Sequence, residues 1–406
     1  MAMKPMSIDS DKRLAVTLAT RLGDILHTPK GTSIRLVSVL GEGGEGAVYV
    51  TNTPYVAKVY KPEKTTTHKL VKIQAMASAG IKFPGISLPL VPLYNSRNEF
   101  VGYLMQKADG VKIRTLYQKP LLLKKFPHWS KRDLVELCVN ILEKIDCLHR
   151  MGIVLGDINP DNILVKKPTE VYFVDCDSYQ VAGYPCPVGT IPFTPPELQN
   201  RGHYDRYLRT VGNENFAVAV LLFSLMITGQ MPYNQKGGDS AQQNIIDMDF
   251  SYPLGESSNK KTPNGPWRFL WSHLPFLLKD AFYNTFNKGG RYSTEGTRLS
   301  ASEWLKKFKE YLRLLDSGKL GEQDEMSTWI YPTRFKKQKG KVYVECPYCK
   351  NEAEQSWIDK KGACIECLRK RRLAHHRSSE SPRVLRKSLS QPSFSGIFGS
   401  LYRLFG

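Results

Sequence analysis

Long apolar runs are missing from this 406-residue sequence. The longest one covers residues 216–227, contains Ser224 and is too short to cross a bilayer, which takes about 20 apolar residues. Because this run is apolar on all faces, it predicts a central buried helix. Near Met1, no charged stretch leads into an apolar one, as a secretion signal would require. The sequence therefore predicts neither a membrane-spanning nor a secreted protein, and we expect it in the cytoplasm.

Acidic residues are scarce relative to basic ones. The chain has 38 Asp and Glu against 58 Lys and Arg, a formal net charge of +20. This excess favours acidic partners such as nucleic acid, anionic lipid or an acidic protein, without distinguishing among them. Between Lys58 and Glu99 the only carboxylate is Glu63.

A disulfide framework is also missing, although the sequence has eight cysteines. Four of them are scattered singly: Cys138, Cys147, Cys176 and Cys186. The other four follow the spacing C-x2-C-x14-C-x2-C: Cys346, Cys349, Cys364 and Cys367. At this spacing, four thiolates from two tight turns provide a closed tetrahedral set for Zn²⁺.

The paired cysteines predict a zinc ribbon over residues 341–370. A unit this small cannot bury enough core to fold unaided, and structural zinc is worth on the order of 10 to 16 kcal/mol in peptides. Zinc would therefore supply most of its folding free energy. The alternative is four reduced cysteines without a metal. Protein docking and nucleic-acid binding by the ribbon both stay open.

A glycine-rich turn lies between two stretches with strand character, residues 36–40 and 47–50. It matches the pattern G-x-G-x-x-G-x-V, in which missing side chains let backbone N–H groups lie close over phosphates. Taken alone it is weak evidence, because glycine-rich turns between strands are mostly ordinary hairpins. The nucleotide-binding interpretation assigns ATP contacts to four residues of this segment: Gly41, Gly43, Gly46 and Val48.

Lys58 strengthens that interpretation. It stands in Val-Ala-Lys-Val on the next predicted strand, where an ammonium group can reach the α and β phosphates of ATP. Met105 ends a later strand and either lines the adenine pocket or belongs to the core.

The segment Gly-Asp-Ile-Asn-Pro-Asp-Asn-Ile-Leu-Val contains Asp157 and Asn162, and Asp175 follows a later apolar strand. Asp157 would accept or orient the proton of an attacking hydroxyl. Asn162 and Asp175 would bind Mg²⁺ or Mn²⁺ beside the phosphates. Each residue alone could form a turn or end a strand, but that does not explain all three together downstream of Lys58. The sequence predicts a phosphotransferase site.

Residues 34–315 resemble a eukaryotic-type protein kinase domain. The segments "GDINPDNILV", "VDCDSYQ" and "FAVAVLLFSLMITGQMPY" are most similar to bacterial kinase-like proteins encoded beside a metal-dependent phosphatase and a von Willebrand A protein in tellurium-resistance and related stress operons. The resemblance implies an α+β bilobal fold with a β-rich N-lobe and a helical C-lobe. It implies a protein substrate, with that phosphatase and von Willebrand A protein as partners.

The same resemblance assigns roles to further positions. Glu197 ends the activation segment, residues 175–197, and would form a structural ion pair with Arg298. Glu214 occupies the position of the aspartate that anchors the catalytic loop.

Several positions depart from the kinase pattern. Gly156 replaces the arginine that would receive an activation-loop phosphate, so we do not expect switching by loop phosphorylation. Asn159 replaces a lysine near the γ-phosphate, which predicts slow transfer. Asp177 replaces a glycine and would bind metal, accept a backbone N–H or only substitute for that glycine. Lys58 lacks its usual glutamate partner, for which Gln74 is a neutral candidate.

These features predict five segments. They are a helical extension over residues 1–32 with a helix at 14–26, a kinase-like domain over 33–315, a linker over 316–340, the zinc ribbon over 341–370 and a basic, disordered tail over 371–406. Residues 394–405 have helical apolar spacing that fits either an anionic membrane or a protein surface. The tail also offers Ser388, Ser390 and Ser393 for autophosphorylation.

Three functions compete at this point. The leading hypothesis is an ATP-dependent and Mg²⁺-dependent serine/threonine protein kinase. The second is a pseudokinase scaffold that binds ATP without transfer, which Asn159 and the missing helix glutamate favour. The third is a nucleic-acid-binding protein that acts through the zinc ribbon and the basic tail.

Overall fold

The computed structural model describes residues 11–80, 83–255, 260–265, 267–317, 341–350, 352–364, 367–368 and 371. The chain divides into two compact units, residues 1–340 and 341–406. Among the helices within the described ranges, none has the length and apolar content that a bilayer crossing needs.

The first unit begins with a closed antiparallel barrel in the strand order β1-β2-β3-β4-β6-β5. Its strands are β1 (Ile25–His27), β2 (Ser33–Glu42), β3 (Gly46–Thr51), β4 (Tyr55–Tyr60), β5 (Pro89–Tyr94) and β6 (Phe100–Gln106). Alternate apolar residues of β1 and β2 point into the barrel, where Leu26, Ile34 and Leu36 are buried. The short strand β1 closes the barrel by pairing with both β2 and β5.

The predicted helix at residues 14–26 is wrong. Residues 14–24 are irregular, and Ile25 begins β1. Leu14 and Val16 pack against two different apolar clusters of the barrel, so their spacing does not reflect one helix face. The Glu99 carboxylate accepts hydrogen bonds from the backbone of Thr17 and Leu18, which satisfies amides that a helix would otherwise pair internally.

Helix α1 (Thr67–Ser78) follows β4. Thr66 caps its N-terminus by accepting a hydrogen bond from the backbone N–H of Lys69. Its inward side chains are Lys72, Ile73 and Met76, so this helix buries a lysine together with two apolar residues.

The rest of the first unit is mainly helical, as predicted. A small antiparallel sheet holds the catalytic segment and consists of β7 (Val111–Lys112), β8 (Ile163–Lys167) and β9 (Glu170–Phe173). The helices are α2 (Lys119–Lys125), α3 (Lys131–Arg150), α4 (Val211–Met226), α5 (Ala241–Ile246), α6 (Trp267–His273), α7 (Phe276–Phe286) and α8 (Ala301–Asp316).

Helix α4 is the centre of this lobe. Residues 213–226 of the helix are all buried, which confirms the prediction made from the apolar run that begins at Phe216. Phe223 contacts aromatic rings on several sides, including Tyr252, Trp271 and Phe282. The first unit therefore has the α+β, two-lobed architecture that the sequence predicted.

The second unit contains the hairpin of β10 (Tyr343–Glu345) and β11 (Glu352–Glu354), followed by α9 (Gln355–Lys361). Its small core includes Cys346, Ala363, Cys364 and Cys367. The predicted linker at 316–340 and the predicted tail at 371–406 lie outside the described residues, apart from residues 316, 317 and 371.

Candidate functional site

Lys58 lies on β4 and carries its ammonium group into a cluster of carboxylates. Its Nζ is 2.5 Å from Asp175 Oδ1 and 2.7 Å from Asp177 Oδ1, with Glu45 Oε2 at 3.9 Å. Burial alone would lower the pKa of Lys58, but Asp177 and Asp175 outweigh it and raise the pKa above its ordinary value. The lysine is therefore a permanent cation.

Asp177 is the partner of Lys58 that sequence reasoning missed. Its side chain is buried and also accepts hydrogen bonds from the hydroxyls of Tyr60 (2.5 Å) and Tyr103 (2.8 Å). Although burial opposes ionisation, Lys58 and these hydroxyls hold the pKa of Asp177 below its usual range. None of the three roles considered for this residue described a lysine partner.

Helix α1 does not supply the lysine partner. Gln74, the neutral candidate, is exposed, so that expectation is wrong. The buried polar residue of this helix is Lys72, whose Nζ donates to the carbonyl oxygens of Ser178 (2.9 Å) and Pro185 (3.2 Å). Burial lowers the pKa of Lys72 to about 8. The helix thus holds the activation segment with a cation.

The Asp157 carboxylate is surrounded by donors. Its Oδ1 accepts from Thr190 Oγ1 at 2.9 Å, and its Oδ2 accepts from Asn159 Nδ2 at 2.7 Å and Asn162 Nδ2 at 3.2 Å. Asn159, which replaces a lysine, therefore orients Asp157 through its amide. The Thr190 contact was not predicted, because it joins residues that are far apart in the chain.

Glu214, in the first turn of α4, anchors the backbone that leads to Asp157. Its carboxylate accepts from the backbone N–H of Leu155 at 2.9 Å and of Gly156 at 2.5 Å, and it also contacts His149 Nε2 at 2.7 Å. Arg209 donates to the Gly156 carbonyl from the other side. Gly156 has a φ of 75°, and a Cβ there would lie 2.4 Å from Cys186 Cβ, so glycine is required.

Asn162 and Asp175 are brought side by side by a backbone hydrogen bond of 2.9 Å from Val174 N to Asn162 O. The Asn162 amide nitrogen faces Asp157, which leaves its oxygen as the atom offered to a cation. The side chain of Asp175 is 44% exposed. An amide oxygen and a carboxylate are ligands that Mg²⁺ accepts, so this pair fits the predicted metal.

The glycine-rich turn connects β2 and β3. Gly41 pairs with Val48, and Gly43 N donates to Gly46 O at 2.8 Å. A Cβ on Gly46 would lie 2.0 Å from the Val59 carbonyl oxygen, so only glycine permits this approach of the turn to β4.

Met105 is buried at the end of β6. It packs in an apolar cluster with Val56, Ile73 and Tyr103. This position matches the core alternative for Met105. Its contact with an adenine ring stays a prediction.

Comparison with known proteins decides the family. A model of the protein kinase domain matches residues 34–308. The chain belongs to the protein kinase family.

Relatives of this kinase chain include bacterial kinases. It is 29% identical over 340 residues to Protein kinase YegI of Escherichia coli strain K12, covering 80% of this chain and 50% of that protein. Against Protein kinase YegI of Escherichia coli O157:H7 the identity is 29% over 294 residues, covering 69% and 45%. A probable serine/threonine-protein kinase of Clostridium perfringens is 25% identical over 224 residues, covering 52% and 30%. The chain thus spans about half the length of the YegI relatives.

An ion pair within the kinase domain fixes the end of the activation segment. Arg298 Nη1 and Nη2 donate to Glu197 Oε1 and Oε2 at 2.5 and 2.7 Å. Asn213 donates to the same carboxylate at 2.9 Å, and the Arg298 guanidinium is buried. Glu197 and Arg298, which the resemblance predicted to pair, therefore form a bidentate ion pair, the strong form of an arginine–carboxylate contact.

The second unit brings its four cysteine sulfurs within 4.8 Å of one another: Cys346, Cys349, Cys364 and Cys367. The Cys346–Cys367 and Cys349–Cys364 sulfur pairs are 3.9 and 3.4 Å apart. Thiolates bound to one zinc ion at about 2.3 Å lie roughly 3.8 Å apart, so the four sulfurs fit a tetrahedral zinc site.

Proposed function

We propose that this chain is an ATP-dependent serine/threonine protein kinase that transfers the γ-phosphoryl group to a hydroxyl of a protein substrate. The observation that carries the proposal is a continuous set of contacts across the cleft. Asp157 binds Asn162, Asn162 adjoins Asp175, and Asp175 binds Lys58. The serine/threonine preference is drawn from the name of the Clostridium perfringens relative.

In the proposed reaction Asp157 accepts the proton of the attacking hydroxyl. The hydroxyl oxygen forms a bond to the γ-phosphorus while the bond from that phosphorus to the β–γ bridging oxygen breaks, and ADP leaves. Lys58 binds the α and β phosphates. Asn162 and Asp175 would hold Mg²⁺ or Mn²⁺, which neutralises phosphate charge when bound.

We expect Asp157→Ala to abolish transfer of label from γ-labelled ATP while ATP binding persists, because this side chain faces the acceptor hydroxyl and not the nucleotide. The exposed Asp205 offers a matched control, and Asp205→Ala should leave transfer unchanged. Equal transfer by the wild type and Asp157→Ala would refute the proposal. Mapping of the labelled residues by mass spectrometry would test autophosphorylation at Ser388, Ser390 and Ser393.

Two other functions compete with this proposal. The missing helix glutamate favoured a pseudokinase, but Asp177 supplies a carboxylate to Lys58, so that observation no longer supports it. Asn159 still does. Nucleic-acid binding through residues 341–406 stays a hypothesis. It predicts an affinity that falls steeply with added salt and is lost when these residues are deleted.

The cysteine unit is proposed to bind zinc as a structural ion. Metal analysis of the purified chain should find one zinc per chain, lost in Cys349→Ser. The cytoplasmic location, the stress-signalling setting, and the partnership with a metal-dependent phosphatase and a von Willebrand A protein stay predictions.

A further inference from the structure

We propose that Asp177 is the positioning residue of the phosphate-binding lysine, and that it takes over from helix α1 the task of holding Lys58 in place. This inference rests on the proposed function, since it concerns how Lys58 is presented to ATP. It assigns to the activation segment a role that kinases ordinarily give to a helix glutamate.

The contacts of Asp177 leave it no other task. Oδ1 accepts from Lys58 Nζ at 2.7 Å and from Tyr103 hydroxyl at 2.8 Å, and Oδ2 accepts from Tyr60 hydroxyl at 2.5 Å. The side chain is 2% exposed. A carboxylate that is enclosed and bound to three donors is not presented to a metal in the cleft.

The two tyrosines make this contact rigid. Tyr60 is two residues from Lys58 on β4, and Tyr103 pairs directly with Lys58 across β4 and β6. Both hydroxyls are fully enclosed with Asp177, and burial raises the pKa of each well above its ordinary value, so both remain donors. Lys58 and its partner are therefore fixed by the same pair of strands.

The other carboxylates near Lys58 are less suited to the task. Asp175 binds Lys58 at 2.5 Å, but its side chain is 44% exposed and it is also the proposed metal ligand. Glu45 lies on the glycine-rich turn 3.9 Å from Lys58 and is closer to Lys69, at 3.2 Å. Asp177 is the partner that can stay in place when ATP enters.

Helix α1 contributes a buried cation in place of a carboxylate. Its sequence has no carboxylate, and its buried Lys72 donates to the carbonyl oxygens of Ser178 and Pro185. Ser178 directly follows Asp177, so the helix steadies the backbone that presents Asp177. Its ammonium group takes no part in the contact with Lys58 itself.

The test is a double-mutant cycle on the full chain, with the ATP dissociation constant measured by calorimetry in Mg²⁺ buffer. Asp177→Asn removes the charge while keeping the shape, and we expect it to weaken ATP binding by roughly tenfold to a hundredfold, since hydrogen bonds to charged groups carry that much. In a Lys58→Met background the same change should weaken ATP binding by less than about twofold, because Asp177 acts only through Lys58. Asp205→Asn is the matched control and should leave the constant unchanged.

A purely structural role predicts the contrary pattern. If Asp177→Asn weakens ATP binding equally with and without Lys58, or leaves it unchanged in the wild type, the inference is overturned. Should Asp177→Asn fail to fold, Tyr103→Phe removes one donor to the same carboxylate. It should weaken ATP binding by about threefold in the wild type and have no effect in Lys58→Met.

The two proposals fail separately. A wild type that binds ATP without phosphoryl transfer overturns the kinase proposal, yet non-additive binding in the cycle would still support Asp177. A wild type that transfers phosphate but shows additive binding effects overturns only the role of Asp177.

Discussion

The two sides of the cleft hold their charged side chains by different means. The backbone that precedes Asp157 is fixed by two amide N–H groups that donate to Glu214. The Asp157 carboxylate itself is oriented by neutral donors. Lys58 contacts the carboxylates of Asp175 and Asp177 in the activation segment, and Asp177 accepts in turn from the hydroxyls of Tyr60 and Tyr103. One side is therefore built on backbone geometry and the other on a buried charge network.

This difference predicts different kinds of failure. Loss of one member of a buried charge network leaves its partner unpaired in a poorly solvated place, which costs folding free energy. Loss of a neutral donor to Asp157 leaves a half-buried carboxylate that water can still reach. Damage on the lysine side should therefore weaken ATP binding together with stability, whereas damage on the aspartate side should lower the rate of transfer and leave ATP binding unchanged.

The largest effect is expected for Asp177→Ala. Among the described residues it leaves Asp175 and Glu45 as the carboxylates within 4 Å of the Lys58 ammonium, and it deprives two buried hydroxyls of their acceptor. We expect a loss of about 3 to 5 kcal/mol in the free energy of unfolding, measured by urea denaturation. A loss below about 1 kcal/mol would show that the network is not a unit of stability.

Glu214→Gln should have the next largest effect. Glutamine keeps one acceptor oxygen, whereas the Leu155 and Gly156 N–H groups use both oxygens of the glutamate. We expect a loss of about 1 to 3 kcal/mol in the free energy of unfolding and a reduced kcat with little change in the KM for ATP. An increase in KM alone would contradict the separation of the two sides.

Lys72 allows a test by pH. Its folded pKa of about 8 lies below the ordinary value of 10.5, so the unfolded chain binds more protons between these pH values, and the contribution of Lys72 to stability rises with pH there. Relative to Lys72→Met, the wild type should gain about 1 kcal/mol between pH 8 and pH 9. Groups common to both proteins cancel in this difference. A flat or falling difference would contradict the shifted pKa.

Thr190→Val should have the smallest effect and the most selective one. It removes the hydroxyl that donates to Asp157 Oδ1 at 2.9 Å and keeps the shape of the side chain. We expect kcat to fall by roughly fivefold to tenfold, the equivalent of about 1 kcal/mol, with the KM for ATP unchanged. Thr190→Ser retains the hydroxyl and should keep most of the rate.

Local patterns predicted the helices, strands and motifs that depend on neighbouring residues. The apolar run of α4 predicted a buried helix, and the strand-like stretches around the glycine-rich turn and Lys58 predicted β2, β3 and β4. Residues 14–26 show where this reasoning fails. Their apolar side chains pack on separate parts of the barrel, and spacing along the chain cannot distinguish this from one face of a helix.

The sequence alone determined the kinase motifs and the cysteine spacing, because a turn, a strand end or a metal-binding loop is specified within a few residues. Only the tertiary structure decided which carboxylate serves Lys58 and which hydroxyl steadies Asp157. Lys58 and Asp177 are 119 positions apart, and Asp157 and Thr190 are 33 apart. Contacts at such distances depend on how the lobes pack, and burial then decides which charge must be paired.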